Sequence, residues 1–190
     1  MNIAGVGQTL VRVLEDSYRE IHPPTGSGDI TFKLFSTAQF TGTPANVVSL
    51  FLYRVEVEPT RRHRTVAPRN LGDPERVMLM LDLHFLLTVW VIDAESEQQI
   101  LQDCIEILER NAIVSDTRLA SGFPWEPDDA LKVTLASMSH EDMMRLWDSL
   151  EPPYRLSIPY LVRGVRLTPQ ERPSAPPVTS RVHVYTQEVP

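Results

Sequence analysis

The sequence predicts an α/β fold of the α+β kind, a mixed β-sheet flanked by two or three helices, with an extended C-terminal arm. Three observations lead there. From Val77 to Ile92 the odd-numbered residues Val77, Leu79, Leu81, Leu83, Phe85, Leu87, Val89 and Val91 are all large and apolar, while the even ones admit Asp82, His84 and Thr88. Side chains alternate sides along a strand, so this segment lays one face on a core along its whole length. Helical spacing of apolar residues appears at the N-terminus and again after Ser96, between segments that alternate. A proline-rich run then separates a last alternating segment from everything before it.

Each element follows from its own pattern. Val6, Leu10, Val13, Leu14 and Tyr18 recur at helical spacing, and His22-Pro23-Pro24 stops the pattern because proline cannot donate to a helix. The first helix is therefore placed from about Ile3 to Glu20. Thr25-Gly26-Ser27-Gly28 follows as a turn, and Ile30, Phe32 and Leu34 alternate as a short strand. Val47 to Val57 is apolar on both parities at first and alternates later, with Val55 and Val57 against Arg54 and Glu56. It reads as a strand buried on both faces at one end and half exposed at the other. The polar connection from Glu58 to Glu75 is longer than most and so reads as functional or disordered.

The strand from Val77 is long for its kind. At about 3.3 Å per residue it spans roughly 50 Å, against about five or six residues for an ordinary strand. Either a bulge breaks it or part of it pairs outside its own subunit. Ser96 and Gln99 have capping-box spacing, placing a helix from about Glu97 to Ala112 with Ile100, Leu101, Cys104, Ile105 and Leu108 inside. Gln102, Asp103, Glu106 and Glu109 then face outward. Leu131, Val133 and Leu135 form another strand, and Ser139 with Asp142 caps a short helix carrying Met143, Met144, Trp147 and Leu150. After Pro152-Pro153, Leu156 to Leu167 returns as a strand whose Pro159 argues for an edge or a bulge. Pro169, Pro173, Pro176 and Pro177 stiffen a linker, beyond which Val182 and Val184 alternate with His183 and Tyr185. Two units result: a globular domain over residues 1–168 and an arm over 169–190.

Composition narrows the function. Of 190 residues, 42% are hydrophobic and 23% charged, which suits a globular chain and argues against general disorder. A net charge of −7 opposes wrapping nucleic acid, which needs a concentrated positive field. The single cysteine, Cys104, forms no internal disulfide, so no oxidising compartment is required. The first apolar stretch carries Arg12, Glu15 and Asp16, unlike a signal peptide, and the most apolar run alternates like a strand rather than a membrane span.

Few residues carry chemistry. Asp82 and His84 share a strand face, a spacing that suits a metal or an acid/base pair in a metal-assisted hydrolase. No further histidine or cysteine stands at ligand spacing, and such a pair is commonly a satisfied hydrogen bond. Cys104 sits on a helix's apolar stripe, where a free cysteine behaves as a small hydrophobe. Neither a nucleophile elbow nor a phosphate loop is present. Arg61, Arg62, His63 and Arg64 form the one dense basic run, with no interleaved aromatics for base stacking; the readings left are a solvated loop or contact with an acidic protein surface. Phe123-Pro124-Trp125 is either a lid on the core or an apolar anchor. The terminal strand is suited to adding to a sheet edge of a neighbouring subunit, or else folds back on its own sheet or frays.

The run Leu81-Asp82-Leu83-His84-Phe85-Leu86-Leu87-Thr88-Val89-Trp90, followed by the Glu97–Arg110 helix, resembles the core signature of cap or tube-terminator proteins of phage-tail-like contractile injection systems. A second stretch, Tyr154 to Leu167, is similar to the strand near the end of that family's N-terminal domain. The opening helix and Val48-Ser49-Leu50-Phe51-Leu52-Tyr53 fit in order, so the resemblance covers about Ile3 to Leu167. These are packing patterns, not catalytic fingerprints. The resemblance implies a phage-tail-terminator-like fold and a non-enzymatic hexameric ring at the distal end of the particle, resting on the inner tube protein and receiving the last layer of sheath protein. It would end polymerisation and fix particle length, with no cofactor or metal and no nucleic acid or membrane as partner. It implies assembly in the bacterial cytoplasm and then residence in the particle; an adaptor elsewhere in the same particle, such as the baseplate, is the alternative. Some relatives continue into a further C-terminal region that this chain lacks. The interface is expected at Arg61, Arg62 and Arg64 in the long loop and at Val182, Val184 and Tyr185 on the arm.

Overall fold

A computed structural model describes residues 2–24, 26, 28–40, 42, 44–58, 64–66 and 76–167. The first helix, α1 (Ile3–Ile21), is capped by Asn2, whose side chain accepts from the N–H groups of Ala4 and Gly5. Its buried stripe contains Val6, Leu10, Val13 and Leu14, as the spacing requires. His22 donates the last helical bond, to the Tyr18 carbonyl at 2.8 Å, and the two prolines after it have no N–H to continue.

Strand β1 (Thr31–Phe35) and β2 (Val47–Val57) run parallel, with a turn of 3₁₀ helix (Thr37–Phe40) after β1. Val47 to Leu50 are all buried, whereas Arg54 and Val55 are exposed, so β2 passes from a covered end to an open one. Short β3 (Arg64–Val66) pairs with the first residues of β4 (Arg76–Trp90). Then follow α2 (Ala94–Arg110), β5 (Ile113–Ser115), β6 (Ala130–Leu135), α3 (His140–Asp148) and β7 (Ser157–Leu167). The sheet runs in the order β1-β2-β4-β7-β6-β5, antiparallel throughout except for β1 with β2. A mixed sheet with three helices is the architecture expected.

Several details differ from expectation. β4 is not itself broken; the irregularities sit in its two neighbours. β2 carries an extra residue, Tyr53, between the pairs Leu52/Phe85 and Arg54/His84, and β7 carries one between Val162 and Val165, opposite Leu83 and Leu81. Gly164 adopts φ 71°, a left-handed conformation that suits glycine, within that second bulge. Because bulges increase local twist, two of them flanking the same stretch of β4 bend the sheet there. The first residues of β4 pair with β3 of the same chain, so this end of the strand does not rely on another subunit.

Helix α2 starts at Ala94, capped by Asp93 and not by Ser96: the Asp93 carboxylate accepts from the Ser96 N–H at 2.8 Å. Asp93 precedes two good helix formers, Ala94 and Glu95, so its cap wins over the later serine. Ile107 joins the buried stripe, Ile105 packs against the core only partly buried, and Asp103 is buried although its position reads as outward. It is held there by His22 Nε2 at 2.9 Å and by Gln99 Nε2 at 3.1 Å. β7 is central rather than an edge strand, despite Pro159. The Pro159 carbonyl accepts from Ala136, the residue after β6 ends, so the absent N–H faces past the end of that neighbour. α3 is capped as read, Ser139 accepting from the Asp142 N–H at 3.1 Å.

Two cores result from the alternation of β4. Its odd residues Leu81, Leu83, Phe85, Leu87 and Val89 face α1 and α2, meeting Leu10, Leu14, Cys104 and Ile107. Even residues Leu86 and Trp90 face the other way, under Phe40 of the 3₁₀ turn and under Met143 and Trp147 of α3. The terminal strand and most of the long loop lie outside the described residues.

Candidate functional site

The outer face of the sheet divides where the bulges bend it. Its upper half is aromatic: the Phe40 ring stands 5.8 Å from Trp90 and 6.1 Å from Trp147, and Arg155 lies 5.9 Å over Trp90. Trp90 Nε1 donates to Ser49 Oγ at 2.8 Å, satisfying a buried donor beneath these rings. This half is covered by α3 and is packing, not an open site.

The lower half carries charged groups and is only partly exposed. Asp82 and His84 project onto it as their spacing required, but each is engaged elsewhere. His84 Nε2 lies 3.0 Å from Glu56 Oε2 across β2, and Glu56 also holds Arg54. The hydrogen bond from His84, followed by the neighbouring Arg54, keeps the Glu56 carboxyl below its ordinary range. Asp82 Oδ1 instead accepts the Gly164 N–H at 3.2 Å, pinning the bulge in β7. The pair on which a hydrolase reading rests is thus divided between two structural tasks. Among the described residues, no group of three or more histidine, cysteine, aspartate or glutamate side chains is placed to hold a metal.

Other candidates resolve into packing. Cys104 is fully buried and burial pushes its thiol up to about 12, which keeps it protonated and unreactive. Tyr160, also in the core, has its hydroxyl pKa raised by burial first and by the Glu109 charge second. Phe123 and Trp125 close over the first turn of α1, where Gly5 leaves room for them, and Trp125 Nε1 donates to the Ala120 carbonyl at 2.7 Å. They are a lid. A cleft of about 140 Å³ beside α1 is lined by Arg12, Asp16, Glu20 and Arg118, whose mixed charges offer no concentrated field.

Of the expected interface residues, Arg64 begins β3, on the hairpin that extends the sheet past β2. Arg61, Arg62, Val182, Val184 and Tyr185 lie outside the described residues. The sequence reading passed over one feature, the free side of β2. β1 pairs only with Val47 to Phe51, so from Leu52 to Val57 the outer edge of β2 has no strand beside it among the described residues. Val55, on the core-facing parity opposite Leu83, is 47% exposed there. The alternation of Val55 and Val57 with Arg54 and Glu56 was the available signal.

Among the described residues, no helix is long and apolar enough to cross a membrane. The family model of the Pvc16 N-terminal domain matches residues 5–181. A comparison with curated proteins returns no match. Among solved structures, the chain is similar to the sheath/tube terminator of the PVC extracellular contractile injection system in its extended state, with 18% identity and a TM-score of 0.59. That likeness covers 100% of this chain and 65% of the other. It is also similar to the tube-terminating cap of the anti-feeding prophage, with 15% identity and a TM-score of 0.58 over 97% of this chain and 62% of that one. At these identities the likeness is one of fold, and the chain spans less than two thirds of either structure's length.

Proposed function

Since this chain belongs to the Pvc16 N-terminal domain family, matched over residues 5–181, we propose that it is a structural cap that closes the distal end of the inner tube and sheath of a contractile injection particle. It ends polymerisation there and so fixes particle length. The observation that carries this reading is the shared fold: both a sheath/tube terminator and a tube-terminating cap overlay essentially the whole chain. The site geometry supports it in the same direction. The residues with the chemistry for catalysis, Asp82, His84 and Cys104, are each occupied with holding the fold together. Among the described residues, the outer edge of β2 from Leu52 to Val57 has no strand beside it, a feature that suits contact with another chain.

On this reading the chain is not an enzyme and works as a hexameric ring. Heterologous contacts close into a ring when the rotation between copies is right. Arg61, Arg62 and Arg64 meet an acidic surface of a neighbour or of the sheath, and Val182, Val184 and Tyr185 supply a strand to an adjoining sheet. Residues 1–168 form the cap body and 169–190 the arm. The chain is made in the bacterial cytoplasm and leaves with the assembled particle.

Two measurements test this together: the mass of the purified chain in solution, and images of particles from a strain lacking its gene. A hexameric mass with tubes and sheaths of uncontrolled length in the deletion strain is the expected result. A strict monomer whose loss leaves particle length unchanged defeats it.

A further inference from the structure

The open edge of β2 and the unpartnered Val55 call for a specific occupant. From Leu52 to Val57 the strand shows alternating faces, Val55 and Val57 toward the core side and Arg54 and Glu56 toward the charged side. Along the second half of β2, Leu52 and Val57 are partly buried against the core, while Val55 between them is among the exposed large hydrophobic residues. An edge with no strand beside it among the described residues, next to an exposed valine, is the template a further strand requires. The same alternation, apolar at Val182 and Val184 and polar at His183 and Tyr185, recurs in the arm.

The length of chain beyond β7 bears on which copy donates that strand. β7 ends at Leu167, which pairs with Leu79 of β4, and on the other side of β4 Val57 pairs with Leu81. Leu167 and Val57 are therefore about two strand spacings apart, roughly 10 Å. The stretch from Thr168 to Arg181 contains Pro169, Pro173, Pro176 and Pro177. A proline-rich stretch favours extension at about 3.1 Å per residue, which carries it roughly 40 Å. A stretch of that length can reach a neighbour about one small domain distant, so a second copy is within range of the terminal strand.

We infer that the outer edge of β2, Leu52 to Val57, receives the terminal strand around Val182 to Tyr185 from a second copy, with the arm's valines laid on Val55 and Val57. This deepens the ring reading above and rests on it. Each copy then gives one strand and accepts one, a head-to-tail contact that propagates round a closed ring and covers the outer edge of β2 from Leu52 to Val57.

The test uses the full chain carrying Val55→Cys together with either Val182→Cys or Val184→Cys, oxidised under assembling conditions. Native Cys104 is buried and does not compete. A ladder of covalent multimers that reduction collapses to one band is expected from one of the two registers, because a disulfide forms only when the Cα atoms lie within about 7 Å. A cross-link confined to a single chain overturns the exchange between copies. No cross-link in a protein that still forms rings and terminates tubes overturns the inference and leaves the cap reading standing. A chain that stays monomeric and caps nothing removes both. As a second arm, Val55→Lys on this exposed position is expected to weaken self-association about tenfold with an unchanged unfolding midpoint; unchanged association overturns the assignment.

Discussion

Gly5 and Gly7, one turn into α1, are side chains reduced to hydrogen for different reasons. A Cβ at Gly5 would stand 2.8 Å from the Phe123 ring and 3.0 Å from Trp125, both fixed by the lid they form. A Cβ at Gly7 would meet the two methyls of Leu34 at 2.9 Å, the far end of a flexible, half-buried side chain. Helix propensity favours alanine over glycine at both by about 1 kcal/mol. Gly5→Ala is therefore expected to destabilise by about 1–3 kcal/mol, since rigid rings resist overpacking, while Gly7→Ala stays near neutral; urea denaturation of the two variants ranks them. The pattern of α1 shows which face is buried, but not that aromatic residues far along the chain come down on its first turn. The same holds for Asp103. An acid on a buried helix face is legible only once His22, from the end of another helix, is seen to accept or donate beside it.

Elements were legible where period and length agreed. α1, β2, β4 and α3 lie within a residue or two of where periodicity placed them, because each lays a long apolar row on a core. β5 escaped notice, being only three residues long and carrying an exposed Ile113. The start of α2 was misplaced because two residues offered the same cap chemistry. That choice is measurable: Asp93→Ala is expected to cost about 1 kcal/mol, the usual loss for an N-cap, and Ser96→Ala only a few tenths. Equal losses in chemical denaturation would restore the later start. The bulges in β2 and β7 were anticipated in kind but not in place. The strand that looked too long stays straight in register, and its neighbours absorb the mismatch where Asp82 holds the Gly164 N–H.

For the molecule as a whole, the two cores lie on opposite faces of one sheet, and among the described residues no strand lies beside β2 from Leu52 to Val57. A chain ending at Thr168 is accordingly expected to melt within about 3 °C of the full chain, less than 1 kcal/mol at this size, and to lose self-association; calorimetry and sedimentation read the two. A large drop in melting temperature would place the arm inside the body's own core. The amino-acid pattern alone was enough for the helices and for the long strand with its apolar core-facing row, since each depends on residues close together in the chain. Strand order, the separation of Asp82 from His84 into two bonds, the burial of Asp103 and the exposure of Val55 were decided by tertiary structure. Each of these depends on which distant segment arrives opposite a given residue, and periodicity along one strand or helix carries no information about its neighbour.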